Sequence, residues 1–235
     1  MEKFFKKNNK IIYVLSFLIT LGLLCIIFMI KGIAPFGNRS LACNDGTLQY
    51  IDFFAYLKNA LIGSNNLGYT FSKTLGGTSF ALFTYYLASP FNVLVVFFDK
   101  SNMNTFFDLL VALKLATASA TMAFFLRKRF AFCIGESVYK KGAILLLGIC
   151  YGLSQYEIAQ SSNIMWLDGA YMLPLILLGI YELVWNGRSW KLTIFVALSI
   201  IFNWYTGGIN CIFTAFWLCL ELLMFWQNKS RRKSL

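Results

Sequence analysis

Asp45, Gln49, Asp52, Tyr56 and Asn59 follow one another at spacings of four, three, four and three residues. On a helix these spacings form a single polar stripe. Tyr50, Phe53, Phe54, Leu57 and Leu61 fill the opposite face, so the predicted helix is amphipathic. A carboxylate on its wet side can take a proton from a hydroxyl, and amide and phenol groups beside it can hold hydroxyls in place. The chain has no histidine. That excludes histidine-based triads, imidazole acid–base catalysis and histidine-ligated metals, and leaves base chemistry to carboxylates, lysine, tyrosine or cysteine. Neither histidine nor an Asp-x-Asp pair accompanies Asp45 and Asp52, so no metal site and no cofactor is expected.

The elements that must position this stripe are membrane elements. Hydrophobic residues make up 58% of the 235, and charged residues only 13%, against about 25% in soluble domains. Several apolar runs approach the roughly 20 residues needed to cross a bilayer, and the alternation of a membrane β-barrel is absent. The expected fold is all-α and polytopic, a single membrane domain over 1–235. The net charge of +11 sits mainly in short clusters beside apolar runs. That is the positive-inside pattern rather than a nucleic-acid footprint. Cys25, Cys43, Cys133, Cys150, Cys211 and Cys219 show no C-x-x-C spacing and read as small hydrophobes in or beside spans. The run after Met1–Lys7 is too long for a signal-peptide core and lacks a clean cleavage site, so it reads as a retained first span.

Predicted crossings are 11–30, 108–126, 142–159, 170–185, 192–205 and 209–226. A further apolar run, Ser79–Phe98, is decided by charge. If it crossed, the Arg127–Lys141 loop and the basic tail 227–235 would fall outside. If it lies in the outer interface or re-enters, every short basic cluster is cytoplasmic. Pro90 and Asn92 in its middle suit a bent, non-spanning helix. The expectation is about six crossings in the cell membrane with both termini cytoplasmic. It includes one long first extracytoplasmic segment, 31–107, carrying membrane-lying helices.

The strings APFGNRSLACNDGTLQYIDFFAYLKNAL, GYTFSKTLGGTSFALFTYYLASPFNVLVVFF, NIMWLDGAYMLPLILLGIYEL and NWYTGGINCIF resemble, in order and spacing, the amino-terminal part of bacterial YfhO membrane proteins. These are similar to C-type glycosyltransferases, polytopic enzymes that use a polyprenyl-phosphate sugar, and are implicated in glycosylating lipoteichoic acid in Gram-positive bacteria. The resemblance implies a long first outer loop bearing an essential aspartate. Asn44-Asp45-Gly46 matches that position, and Gln49-Tyr50 matches the pair that follows. Family members are several times longer, so this chain is expected to be a portion of such an enzyme, a short relative, or one half of a split protein, which leaves open whether the isolated chain is active.

Inverting transfer from such a donor needs a base for the acceptor hydroxyl, donors for the leaving phosphate and an apolar groove for the lipid. The resemblance makes Asp45 the base; the competing reading is a helix cap or first-turn acid. Asp52 either assists or is a solvated helix residue. Gln49 and Tyr50 would bind sugar hydroxyls, although Tyr50 lies nearer the apolar face. Lys73, in Ser72–Thr78, and Arg39 would hold the lipid phosphate or contact headgroups. Lys114, inside the second span, would meet substrate or snorkel outward. Asp168 would face the same cavity or cap the fourth span.

The leading expectation is transfer of a sugar from a polyprenyl-phosphate donor to a teichoic-acid-type or other envelope acceptor, with membrane lipids and a chain supplying further spans as partners. Two alternatives stand beside it: a lipid-carrier or solute permease, and a non-catalytic fragment or partner subunit.

Overall fold

The computed structural model describes residues 11–63, 66–71, 76–130 and 138–233. Its central element is α3, Met103–Arg129, which buries side chains on several faces. Helix α1, Ile11–Lys31, runs against α3, and so does α4, Val138–Gly152. The seam between these three is small and polar. Ser16 Oγ donates to the Ser119 carbonyl oxygen at 3.1 Å, and Thr20 Oγ1 donates to Ser119 Oγ at 2.8 Å. A Cβ added at Gly148 of α4 would lie 2.8 Å from Ser16 Oγ and 2.9 Å from Ala123 Cβ. Small residues let membrane helices approach this closely where no hydrophobic effect drives them together.

After α4 the chain breaks at Leu153-Ser154 and forms the short α5, Gln155–Ala159, whose first turn is capped by Ser154. Helix α6, Leu167–Asn186, packs along α3 and ends at Gly187. That residue has φ +65°, a left-handed helix stop that glycine adopts without strain. Helix α7, Trp190–Phe202, returns along α6, and α8, Trp204–Lys233, packs on both.

Among the described residues, five helical segments are long and apolar enough to span a bilayer: Ile11–Lys31, Lys100–Arg129, Lys141–Ala159, Leu167–Asn186 and Trp204–Asn228. The sixth expected crossing, α7, has 13 residues, about 20 Å of helix. It is shorter than α6 and α8 on either side of it. Lys191 at its start pairs with Glu182 near the end of α6, and Asn203 just past its end meets Tyr85 at the opposite end of the molecule. Five of the predicted crossings coincide with these segments, with α3 starting earlier than expected and α8 running longer, whereas 192–205 falls on α7, which ends at Phe202 and is shorter than a candidate span.

Ser79–Phe98 is not one straight helix. It forms two helical limbs, Phe80–Leu87 and Pro90–Phe97, bent by 92° at their junction. Both ends of the segment return to one short helix, α2, Ile51–Leu61. Tyr56 of α2 lies 3.4 Å from Ser79 Oγ, and Lys58 donates to the Phe98 carbonyl oxygen. Two residues of one helix touch both entrance and exit, so both ends of the segment lie beside α2. Ser89 and Pro90 at the bend explain its sharpness, because proline cannot continue the hydrogen-bond ladder of the first limb.

At the basic end of the bundle Arg129 is paired with Glu221. Arg129 reaches Glu221 through Nε at 2.6 Å and Nη2 at 3.1 Å, and the Trp185 indole donates to the same carboxylate at 2.8 Å. This ties α3, α6 and α8 together. The candidate site lies at the other end.

Candidate active site

The stripe of polar residues is delivered by a strap that leaves α1. The Ile33 amide donates to the Phe28 carbonyl at 2.8 Å. Ala34 and Arg39 then close a tight loop through Ala34 N to Arg39 O at 2.8 Å and Arg39 N to Gly32 O at 3.0 Å. The next residues are held by α3: Ser40 Oγ and the Leu41 amide both donate to Asp108 Oδ1, at 3.0 and 2.8 Å. Asn44 turns the chain with φ +49°. Gly46 then sits where a Cβ would meet Ala42 Cβ at 3.3 Å and the Phe107 ring at 3.6 Å.

Gly46–Tyr50 is a single π-helical turn that runs into α2. The spacing of the stripe predicts a regular helix throughout. The wider turn breaks its strict register, and such turns concentrate at functional sites. Asp45 precedes the π turn with helical backbone and no capping hydrogen bond from its side chain. Instead Gln49 Nε2 donates to Asp45 Oδ1 at 3.4 Å, and the Tyr86 hydroxyl donates to Gln49 Oε1 at 3.3 Å. The exposed carboxylate therefore heads a chain of hydrogen bonds that runs through the amide to the first limb of the bent pair.

Tyr50 points the other way. It is 0% exposed, its hydroxyl contacts Met165 Sδ, and its ring packs edge-on to Tyr86 at 5.3 Å and against Phe107 at 6.1 Å. Burial, with Tyr86, Tyr85 and Asp45 adding to it, holds its phenol well above the usual tyrosine value. The expectation that Tyr50 meets sugar hydroxyls or the interface is corrected: it is a core anchor beneath Asp45. Phe54 and Leu57 continue that anchor into the cluster with Phe106, Leu110 and Val95.

Asp52 is exposed in the first turn of α2. Tyr56 is committed to Asn66 and Ser79, fastening the loop beyond α2 rather than facing open water. Arg39 is exposed on the strap loop. Lys73 lies outside the described residues; Tyr69–Thr70 and Gly77–Thr78 on either side of it pair as a two-stranded antiparallel ribbon.

Lys114 and Asp168 are brought together, and not with Asp45. Lys114 Nζ lies 2.7 Å from Asp168 Oδ2 and 3.0 Å from the Ile164 carbonyl. Asp168 Oδ1 accepts from Ser89 Oγ at 2.6 Å and from the Tyr171 hydroxyl at 2.7 Å. Lys114 is 1% exposed, so it does not snorkel, and Asp168 spends its oxygens on side chains rather than on capping α6. The pair holds Ser89 at the bend between the limbs. Asn92 Nδ2 closes that bend on the Tyr86 carbonyl at 3.2 Å, and Asn203 Nδ2 holds the Tyr85 carbonyl at 2.7 Å. Thus Lys114 and Asp168 support the limb that presents Tyr86 to Gln49. Asn210, bonded to the Gly169 carbonyl at 2.9 Å, is likewise structural.

Sequence reasoning missed Asp108, Ser40, Ser89 and Tyr86. Asp108 stands between Phe106-Phe107 and Leu109-Leu110, and a lone carboxylate flanked by large apolar residues was its available signal. The others are ordinary residues made important by partners far away in sequence. Chemically, the assembly offers an accessible carboxylate braced by an amide and a neutral phenol, beside the two apolar limbs. No group of three or more His, Cys, Asp or Glu side chains suited to a metal occurs among the described residues.

Among comparisons with known proteins, no curated protein and no solved structure matches the chain. The family model described as bacterial membrane protein YfhO matches residues 16–235, nearly the whole chain. The chain belongs to the YfhO family of bacterial membrane proteins.

Proposed function

We propose that this protein carries the acceptor-activating part of a membrane glycosyltransferase. It would move a sugar from a polyprenyl phosphate to a cell-envelope polymer such as lipoteichoic acid. The observation that supports this reading is the Asp45–Gln49–Tyr86 chain of hydrogen bonds. Asp45 takes the proton from the acceptor hydroxyl as the sugar's anomeric carbon is attacked and the polyprenyl phosphate leaves with the bond electrons. Gln49 keeps the carboxylate oriented and leaves Asp45 Oδ2 for the acceptor. Arg39 and Lys73 neutralise the leaving phosphate from the strap and the loop. The apolar limbs Phe80–Leu87 and Pro90–Phe97 lie along the isoprenoid. In this reading the Asp45 end is extracytoplasmic and both termini are cytoplasmic, because the basic clusters then share one side. A chain supplying further spans completes the donor groove.

The test is sugar transfer from a polyprenyl-phosphate donor in membranes holding the protein together with any such partner. Asp45→Asn is expected to lose about 10²- to 10⁴-fold in rate; transfer at the wild-type rate sinks the assignment.

The permease reading is favoured by one observation, the buried Lys114–Asp168 pair. Both groups are fully engaged with Ser89, Tyr171 and the Ile164 carbonyl, which suits a fixed brace better than a carrier that must release ions. Uptake of labelled substrate into vesicles, abolished by Lys114→Met, would support transport instead.

A further inference from the structure

Asp108 is a buried carboxylate that the proposed reaction does not use. It is 0% exposed and lies in the second turn of α3, among Phe106, Phe107 and Leu110. Its Oδ1 takes two hydrogen bonds from the strap, from the Leu41 amide and from Ser40 Oγ, and Ser40 Oγ in turn accepts from the Ala42 amide at 3.1 Å. Its Oδ2 is buried without a hydrogen-bond partner among the described residues. A half-satisfied carboxylate in an apolar setting is destabilising, and such groups call for an explanation.

The strap supplies one. Asp108 holds it at residues 40 and 41, and the neighbouring Phe107 supports it at Gly46. Asp45 lies between these two fastenings. No hydrogen bond other than the one from Gln49 orients its side chain among the described residues, so the position of its backbone depends on where the strap is fixed. We infer that Asp108 is a positioning residue: through Ser40 and Leu41 it sets the placement of Asp45 against the acceptor. The acceptor capacity of Oδ1 does this, not the negative charge. This inference rests on the transfer reading for its catalytic consequence, and on the strap geometry alone for the fastening itself.

Cys43 provides a readout independent of activity, since it is an exposed free thiol inside the fastened stretch. In the full chain, with Cys43 as the sole cysteine, its labelling by a membrane-impermeant maleimide is measured for wild type, Asp108→Ala, Asp108→Asn and Ser40→Ala. Asp108→Ala is expected to speed labelling about fivefold and to lower kcat by about 10²-fold, the scale of a 1 Å misplacement, with the donor KM within about twofold. Asp108→Asn keeps an oxygen for Leu41 and Ser40 and is expected within about threefold of wild type in both measures. Ser40→Ala falls between them.

Unchanged Cys43 labelling in Asp108→Ala overturns the fastening. If Asp108→Ala does not fold, Ser40→Ala decides: wild-type labelling and kcat there overturn it equally. Loss of activity in Asp108→Asn as deep as in Asp108→Ala overturns the positioning role, because the charge itself would then be required. Wild-type transfer by Asp45→Asn removes the catalytic consequence while labelling still decides the fastening, so the two failures are distinguishable.

Discussion

Lys114 Nζ and Asp168 Oδ2 meet at 2.7 Å in the interior of the bundle, 54 residues apart in the chain. The pair joins α3 to α6 and, through Ser89, holds the bend between the two apolar limbs. Removing one partner from a buried pair leaves the other charge uncompensated and costs about 3–5 kcal/mol. Lys114→Met is therefore expected to lower the thermal midpoint of the purified protein strongly, and Lys114→Met with Asp168→Leu to recover much of the loss. A double variant no more stable than Lys114→Met would show that the two residues act separately.

Asp45 and Asp52 are expected to part company. Asp45→Asn should abolish most transfer, and Asp52→Asn should stay within about threefold of wild type, since it has no partner in the Gln49–Tyr86 chain. Gln49→Ala should fall between them, at about tenfold in kcat, through a less oriented carboxylate. Initial rates at saturating donor check all three. Equal losses for Asp45 and Asp52 would point to a shared two-carboxylate site.

Tyr50 makes stability depend on alkaline pH. Its folded pKa is raised above the ordinary value, burial being the main cause. The neutral phenol is thus the form the fold favours. Its contribution is complete below about pH 10, the unfolded value, and is lost as pH rises beyond it. Tyr50→Phe cannot ionise, so the difference in stability between it and wild type should shift in favour of Tyr50→Phe above about pH 10. Tyr50→Ala should cost about 3–5 kcal/mol at neutral pH by opening a cavity. Parallel pH-dependent slopes for wild type and Tyr50→Phe would refute the first expectation.

Glu221 is a fully buried acceptor for both Arg129 and Trp185. Glu221→Ala strands the Arg129 guanidinium and should destabilise the protein by about 3–5 kcal/mol without changing the pH profile of transfer by the folded fraction. A changed pH profile would tie this end of the bundle to the chemistry.

Orientation is checked by thiol labelling of intact cells. Cys43, and a cysteine placed at Lys73, should react with an impermeant maleimide from outside, and a cysteine placed at Gly135 should not. Outside labelling at position 135 would invert the proposed topology.

Much of this architecture was legible in the chain itself. Apolar run lengths mark the spans, because crossing a bilayer demands about 20 residues and satisfied backbone. Pro90 marks the place where Ser79–Phe98 bends, and the periodicity of Phe54 and Leu57 marks the buried face of α2. These are local signals, carried by neighbours in sequence. What tertiary structure decided were partnerships: Lys114 with Asp168, Asp108 with Ser40 and Leu41, Asn203 with Tyr85 118 residues away. It also decided the π turn that breaks the register of Asp45 with Asp52 and turns Tyr50 into the core. A polar side chain inside a membrane bundle must find a partner, but which one depends on helix register and crossing geometry, and no periodicity encodes these.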